Sequence, residues 1–220
     1  MKKVFFAVMS ILLAAAVFAQ SEDDFTVRRN RSDNTLVITA YNGAAKDVII
    51  PDTINGIEVT AVGRISSSLI WQEFAFNYKG LTSVVIPDTI TALGNSTFAS
   101  NKFAEITLPA NLKGIGHYAF ANNQIRSLTI PDGVTVIELF AFQNNPLTTL
   151  IINSPFTTSG AGFNGPFSGC PITKITLPEG MNDVIMERNF EETLIVFWKS
   201  QDRAAGTYIK NESGWTLESN

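Results

Sequence analysis

Side chains capable of catalysis are scarce in this sequence. His117 is the only histidine and Cys170 the only cysteine among 220 residues, so a Ser-His-Asp triad or a Cys-His pair would have to use these single side chains. The same count excludes a metal site built on several histidines. The acidic neighbours Glu191 and Glu192 are more simply interpreted as solvated than as calcium ligands. The sequence therefore predicts no catalytic constellation, no metal site and no cofactor, with His117 as a surface residue.

Repeats are the elements that must position any functional surface here. An LxxLxL stretch ending in Ile-Pro or Leu-Pro recurs every 22 residues in the middle of the chain. In the three regular repeats a phenylalanine follows eleven residues after the aligned proline, and an asparagine stands three residues beyond that ring; Phe76, Phe167 and Phe190 fill the same slot in the irregular repeats. The aligned prolines are Pro51, Pro87, Pro109, Pro131 and Pro178; the rings are Phe76, Phe98, Phe120, Phe142, Phe167 and Phe190; the following residues are Asn101, Asn123, Asn145 and Cys170.

Each repeat predicts one coil of a solenoid. The LxxLxL stretch alternates as a short strand with one buried face does. A unit of 22 residues is too short to fold alone, so successive coils must stack their strands in parallel around a shared apolar interior. The phenylalanines would form a spine, each burying on the order of 2–3 kcal/mol of transfer free energy. The asparagines would satisfy buried turn backbone groups, with Cys170 as a small buried substitute.

These landmarks resemble those of a known family. The unit LTSVVIPDTITALGNSTFASNK, residues 81–102, resembles the BspA-type leucine-rich repeat of bacterial secreted and surface proteins. The resemblance implies a right-handed leucine-rich-repeat solenoid with a parallel β-sheet on its concave face, here over residues 47–193. It also implies attachment to host matrix proteins or to other bacteria. The sequence departs from the pattern by a nine-residue excess after Val62 and, in the fifth repeat, by Asn153 in place of proline with three extra residues.

The alternating stretches also predict which side chains face outward from the concave sheet, where solenoids commonly bind partners. Most are Ser, Thr, Val or Ile, although strand propensity alone favours Thr and Val there. Asp47, beside Ile49, and Glu105 are the only outward acids. They lie two coils or roughly 10 Å apart, so no carboxylate pair for polysaccharide cleavage is evident. The predicted ligand-binding residues are Ser83, Val85, Glu105, Thr107, Ser127, Thr129, Thr149, Ile151, Lys174 and Thr176.

An amino-terminal β cap is predicted over residues 20–46, because an open first coil would expose core and an unpaired strand edge. Residues 25–27, 35–39 and 48–50 alternate or are β-branched, with turn residues between them. We interpret them as a small antiparallel cap that leads into the first coil.

A carboxyl-terminal β cap is predicted over residues 194–220. Residues 194–198 and 206–209 are strand-like and are separated by a polar stretch. Trp198 and Trp215 are expected to pack over the last coil.

Two insertions interrupt the repeats, at residues 64–73 and 154–166, and they contain Trp71, Phe156 and Phe163. Aromatic side chains on loops of a rigid scaffold are candidate contact points for a partner. The alternative is that these rings cover core exposed where the repeat is disturbed.

The first residues predict export. Lys2 and Lys3 precede an apolar run and a polar stretch that begins at residue 20, which together predict a cleavable signal peptide over residues 1–19. An uncleaved anchor is the less favoured alternative. Without those two lysines the chain has 14 basic and 20 acidic residues, a net charge near −6, and no basic cluster for nucleic acid or anionic lipid. We expect a soluble monomer, without membrane insertion after cleavage, that is extracellular, on the cell surface or periplasmic.

These observations favour a non-catalytic protein that binds an extracellular protein or glycan, with host matrix proteins among the candidate partners. Two alternatives stay open at this point. One is a polysaccharide-active enzyme on a parallel β-solenoid, using Asp47 or Glu105. The other is a scaffolding component of the cell envelope.

Overall fold

The computed structural model describes residues 21–63, 75–158 and 165–218. The predicted signal peptide and the predicted contacts Trp71 and Phe163 lie outside these ranges. Inside them the chain forms short strands, with one 3-10 turn before the first strand and two helices before the last two strands. The elements are the 3-10 turn Glu22–Asp24, β1 (Phe25–Arg29), β2 (Leu36–Tyr41), β3 (Asp47–Ile49), β4 (Thr53–Ile54), β5 (Ile57–Val62), β6 (Ser83–Val85), β7 (Ala92–Leu93), β8 (Gly114–Ile115), β9 (Ser127–Ile130), β10 (Val136–Ile137), β11 (Thr149–Ile152), β12 (Lys174–Leu177), α1 (Asp183–Asn189), α2 (Glu192–Ser200), β13 (Gly206–Asn211) and β14 (Gly214–Leu217).

The coils form two parallel ladders. The first uses the LxxLxL stretches: β3 pairs with β6, and β9, β11 and β12 pair in that order. The second joins β5, β7, β8 and β10. The register advances by one repeat per strand, since Leu128 lies opposite Leu150 and Leu150 opposite Ile175. The predicted leucine-rich-repeat solenoid is therefore confirmed, as a strand-dominated stack of about 5 turns.

One rung of the first ladder differs from the expectation. Residues 103–108 carry the LxxLxL pattern but belong to no strand, and they separate β6 from β9. Phe103 and Leu108 are still buried, as the pattern predicts, and Ile106 between them is half-buried against the core. The pattern therefore fixes which side chains enter the core at this rung but does not bring its backbone into ladder hydrogen-bonding distance.

Aromatic rings run through the interior as a continuous spine. Neighbouring ring centroids lie between 5.1 and 6.1 Å apart, and most pairs are stacked. The sequence predicted every phenylalanine of this spine and missed Tyr41, whose ring stacks on Phe76 at 5.3 Å. The spine consists of Tyr41, Phe76, Phe98, Phe120, Phe142, Phe167 and Phe190.

A column of buried asparagines runs beside the spine. The Asn123 amide nitrogen donates to the carbonyl oxygens of Phe120 and Phe98, each at 3.0 Å. Its side-chain oxygen accepts from the backbone N–H of Phe103 at 3.2 Å. Asn101 and Asn145 make the equivalent bonds one coil away. One side chain thus ties two coils together and satisfies backbone groups that water cannot reach.

The amino-terminal cap is smaller than predicted. β1 and β2 form an antiparallel pair, as expected, and β2 continues into the second ladder by pairing in parallel with β5. Residues 48–50 were expected in the antiparallel cap, and this expectation is wrong: β3 pairs in parallel with β6. The segment instead supplies the first rung, because Val48 and Ile50 are buried in the solenoid core.

The carboxyl-terminal cap is a mixture of helices and strands. β13 pairs antiparallel with β12 and with β14, which gives the predicted β cap. Residues 194–198, however, were predicted as a strand and lie in α2. The buried residues Leu194, Ile195 and Trp198 share one side of that helix, and Trp215 is buried in the same core. A short apolar run does not distinguish strand from helix by its pattern alone.

Candidate functional site

The outward side chains of the first ladder, together with those of the unpaired rung at Glu105 and Thr107, are what we call the ladder face. It comprises the ten predicted ligand-binding residues together with Asp47 and Ile49 on the first rung. The strands hold these side chains outward because alternate residues are buried, as along the four positions of β9. Ile49 and Val85 lie opposite each other and have 62% and 58% of their surface exposed. The first two rungs therefore present an apolar pair to solvent.

The acid on the first rung has a structural role. The Asp47 Oδ1 atom accepts from the Thr82 and Ser83 hydroxyls, each at 2.7 Å. The hydrogen bond from Ser83, followed by that from Thr82, lowers the pKa of the Asp47 carboxyl below its usual value. Asp47 is thus held as a carboxylate that joins two rungs. Glu105 is exposed on the rung without ladder pairing, beyond Ser83, so the two acids do not meet.

The structure brings the remaining predicted residues together in two groups. Ser83 and Val85 adjoin the first rung through β6. On the other side of Glu105 and Thr107, three strands align their outward residues in two files. These files are Ser127, Thr149 and Lys174, and Thr129, Ile151 and Thr176.

The last rung is continued by the carboxyl-terminal hairpin, which the sequence analysis did not include in the surface. The Thr176 and Thr207 hydroxyl oxygens lie 2.9 Å apart, and Lys174 Nζ lies 3.4 Å from Glu218 Oε2. Alternation in β13 buries Tyr208 and leaves Ile209 partly exposed in line with Lys174. The alternating Thr-Tyr-Ile run of β13 was the sequence signal that could have extended the face.

The insertion-loop prediction is wrong for Phe156. Its side chain is buried, and its ring meets Phe167 edge-on at 6.3 Å. The ring therefore covers the spine where the fifth coil is lengthened, in agreement with the alternative interpretation of the insertion.

A groove of about 1350 Å³ lies between the last coil and α2. It was not predicted, because its walls come together only when the cap packs on the coil. Apolar side chains line much of it, among them Phe190, Ile195 and Trp215. Cys170 also lines the groove and is half-buried. Burial raises the pKa of this thiol to about 11, although backbone hydrogen bonds at Asn145 and Leu147 have a smaller opposing effect. Such a thiol is a poor nucleophile at neutral pH.

A charged cluster closes one side of the groove. The Glu191 carboxylate accepts from Lys210 Nζ at 2.8 Å and from Trp215 Nε1 at 2.8 Å. Burial opposes its ionisation, but the hydrogen bonds from Lys210, Thr193 and Trp215 together lower the pKa of Glu191. The cluster is satisfied internally and fixes β13 and β14 against the start of α2.

His117 lies at the surface of a turn, as predicted, and is half-buried there. Its Nε2 atom lies 3.8 Å from Glu138 Oε2 on the next coil. The neighbouring rings of Tyr118 and Phe140 stack at 4.9 Å. No hydroxyl nucleophile within the described ranges is hydrogen-bonded to the His117 imidazole.

In the part of the chain that the structure describes, no group of three or more His, Cys, Asp or Glu side chains is arranged to hold a metal ion. Neither α1 nor α2 nor any other described helix is both long and apolar enough to cross a lipid bilayer.

Comparisons with known proteins agree with this geometry. A sequence model of the BspA type leucine rich repeat region matches residues 70–195 with 6 copies. A search of curated proteins finds no significant match to this chain.

A solved structure shares the fold. A leucine rich repeat protein of T. pallidum superposes with a TM-score of 0.51 at 19% identity, over 73% of this chain and 83% of that one. A leucine-rich repeat protein of Bacteroides ovatus superposes with a TM-score of 0.47 at 22% identity, over 75% of this chain and 49% of that one. A leucine rich cell surface protein of Faecalibacterium prausnitzii superposes with a TM-score of 0.42 at 22% identity, over 90% of this chain and 60% of that one.

Proposed function

The chain belongs to the BspA-type leucine-rich repeat family, and from that premise we propose that it is a non-catalytic binding protein of the cell exterior or envelope. Its partner is an extracellular protein or glycan, and host matrix proteins are the first candidates. The ladder face is the binding surface. The family membership supports a binding role because stacked repeats present extended surfaces without a catalytic cleft.

The exposed apolar pair of the first rungs is the observation on which this proposal depends. Ile49 and Val85 stay exposed although both are anchored in paired strands. Hydroxyl-bearing side chains continue the surface along the same rungs and across the later ones. An apolar centre with a polar surround is the usual composition of a protein-binding patch. Because the strands are rigid, a partner binds without ordering this surface, which favours affinity.

The catalytic inventory supports the non-enzymatic assignment. Asp47 is engaged by Thr82 and Ser83, and Glu105 stands alone on an exposed rung. The signal peptide predicted over residues 1–19 supports export. Mature protein that begins at Gln20 and is recovered outside the cytoplasm would establish that location.

Binding is tested with the chain from Gln20 onward against a panel of matrix proteins and cell-surface glycans by biolayer interferometry. The double variant Ile49→Glu/Val85→Glu should weaken binding about ten-fold or more, because it places charges on the apolar part of the contact. Val196→Glu is the matched control, since Val196 is 62% exposed on α2, away from the ladder face. A folded protein that binds no member of the panel, or a double variant that binds as tightly as the control, would contradict the proposal.

A further inference from the structure

The amino-terminal cap carries a concentration of positive charge that the overall composition conceals. Arg28, Arg29 and Arg31 stand close together in the sequence, in a chain whose net charge is −4. The chain was expected to contain no basic cluster for nucleic acid or anionic lipid, and this short run is a local exception to that expectation. A negative net charge therefore does not exclude a local site for an anion.

The structure brings these arginines to one place. All three line an open pocket of about 570 Å³, together with Asn30 and Val37. The pocket lies at a sheet edge, since β1 pairs with β2 on one side and with no described strand on the other. The three arginine side chains are exposed, and Arg28 lies opposite Val37 in the antiparallel register. Strand pairing and the turn that follows β1 thus direct three guanidinium groups into one concavity.

The turn between β1 and β2 is held by its own hydrogen bonds. Asn30 Nδ2 donates to Asp33 Oδ2 at 2.9 Å, and Asn30 Oδ1 accepts from the Ser32 N–H and hydroxyl at 3.3 and 3.0 Å. The Asp33 Oδ1 atom accepts from the N–H and the hydroxyl of Thr35 at 3.1 and 2.8 Å. Arg31 therefore projects from an ordered turn, so a ligand does not have to order this backbone when it binds.

The guanidinium groups of the pocket have no internal partner. Within the ranges that the structure describes, none of them makes a salt bridge or a side-chain hydrogen bond. Asp33, the acid of the same turn, is engaged by Asn30 and Thr35 instead. Arg203 in the carboxyl-terminal cap differs, because its Nε and Nη2 atoms donate to Asp183 at 2.8 and 3.0 Å. The arginines of the amino-terminal cap thus keep their N–H donors available for an external anion.

We propose that Arg28, Arg29 and Arg31 form a binding site for a densely sulfated glycan. A guanidinium binds the oxygen atoms of an oxyanion through its planar fork of N–H donors, and short basic runs are typical of heparin-binding patches. Three such groups in one pocket require several anionic groups close together, which a sulfated sugar chain provides. The site lies on the strand pair that begins the second ladder, whereas the ladder face belongs to the first. It therefore goes beyond the proposed function and does not depend on it.

The lining of the pocket favours a glycan over a nucleic acid and over a lipid surface. Sites for single-stranded nucleic acid add aromatic rings on which the bases stack, and the pocket is lined by arginine, asparagine and valine only. Three charges bind a membrane weakly without apolar side chains that insert into it. The large exposed hydrophobic residues in the described part of the chain, Ile49, Tyr78, Val85 and Val196, all lie outside this turn. A hydrophilic polyanion needs neither feature.

The test is binding of a heparin hexasaccharide to the chain from Gln20 onward, measured by isothermal titration calorimetry. The triple variant Arg28→Gln/Arg29→Gln/Arg31→Gln should weaken binding about ten-fold or more, because it removes every guanidinium of the pocket. The corresponding triple lysine variant keeps the charge and loses the fork, so its affinity should lie between those of wild type and the glutamine variant. A hyaluronan hexasaccharide, which carries carboxylates but no sulfates, should bind wild type at least about ten-fold more weakly than heparin does.

The matched control is Lys102→Gln/Lys113→Gln/Arg126→Gln, which removes three exposed positive charges elsewhere on the chain and should change heparin binding by less than about three-fold. An equal loss in this control would show that net charge attracts the polyanion, and it would overturn the proposal. Hyaluronan binding as tight as heparin binding would also overturn it, as would binding of anionic phospholipid vesicles or single-stranded DNA without binding of heparin. Should the glutamine variant fail to fold, the lysine variant and the wild-type comparison of the two glycans decide the question, and undiminished binding by the lysine variant would then count against the site.

Discussion

The central coils and the last coil satisfy their buried backbone carbonyls with different hydrogen-bond donors. In the central coils a buried amide such as Asn123 donates to two carbonyls and accepts from one N–H of the neighbouring coil. In the last coil the Cys170 thiol donates to the Phe142 carbonyl, at 3.2 Å, and has weaker backbone hydrogen bonds at Asn145 and Leu147. The carbonyl of Phe167 is instead satisfied by the backbone N–H of Cys170, at 3.0 Å. The backbone thus substitutes for the missing amide donor.

Among the described residues, ion pairs are more frequent in the carboxyl-terminal cap than between the central coils. Among the described residues, most salt bridges join side chains of the carboxyl-terminal cap, including Asp183 to Arg203 and Glu191 to Lys210. Only the pair of His117 with Glu138 lies between central coils. Exposed ion pairs stabilise less than buried rings and satisfied amides. The middle of the solenoid is therefore held by its interior, and its last part depends more on surface contacts.

Substitutions in the aromatic spine should give the largest difference in unfolding free energy between the central coils and the last part of the solenoid. Phe120 is fully buried with stacked rings at 5.3 Å on both sides, so Phe120→Ala should lower the free energy of unfolding by about 3–5 kcal/mol. Phe190 is half-buried and stacks only on Phe167, at 6.1 Å, so Phe190→Ala should lower it by about 1–2 kcal/mol. Urea unfolding followed by circular dichroism measures both. Equal losses would refute the stated contrast.

Substitutions in the column of buried asparagines should give the next largest difference in unfolding free energy. Asn123→Ala leaves the Phe103 N–H without its partner in a dry interior and removes one of two amide donors from each of the Phe98 and Phe120 carbonyls, which should cost about 2–3 kcal/mol of unfolding free energy. Cys170→Ala removes only the weak hydrogen bonds of a sulfur atom and should cost about 1 kcal/mol. The measurement is again urea unfolding, with Gln124→Ala as an exposed control on the same coil. A Cys170→Ala loss as large as that of Asn123→Ala would show that the thiol is equivalent to the amide.

The central coils were also the part that the sequence could predict. Their landmarks recur at a fixed spacing, and each landmark has one physical use: Leu128 and Leu150 enter the core, and Asn123 satisfies the turn. Outward residues such as Thr129 followed from the period of two in a strand. Most of the ladder face therefore follows from the sequence alone.

Features that depend on contacts between distant segments could not be derived in this way. The rung at Glu105 has the same pattern as its neighbours but lacks their ladder pairing, because side-chain burial and backbone pairing are separate requirements. Phe156 could face outward or inward as far as the sequence showed, and only packing against Phe167 decides it. Residues 194–198 formed a helix because one side of it covers the last coil. The groove beside Cys170 arises from that same packing.

The chemistry of Cys170 gives a third contrast, with the unfolded chain as reference. Burial raises the pKa of the thiol from 9.0 to about 11, so its thiolate fraction at pH 8 should be on the order of 100-fold lower than in the unfolded protein. Alkylation by iodoacetamide should accordingly be slow in the native state and ordinary in urea. The folded state also holds this proton more tightly, so stability should fall as the pH rises from about 9 to about 11. Cys170→Ser should lack that decrease, and equally fast alkylation of native and unfolded protein would contradict the assignment.

The smallest expected effect concerns the surface pair of Asp183 with Arg203. The hydrogen bond from Arg203 is the largest influence on this carboxyl, and the pKa of Asp183 lies at about 2, below its ordinary value of 3.8. Because the folded-state value is lowered, the stabilisation is present above about pH 4 and is lost as the pH falls towards 2. In urea unfolding at low salt, wild type should therefore have a slightly higher midpoint than Asp183→Asn at pH 5, and the two should converge near pH 2. Asp132→Asn is the control, since Asp132 has no salt bridge among the described residues. Added salt should shrink the difference at pH 5 because both groups are exposed, whereas a salt-independent difference would mean that the pair acts through packing in the cap.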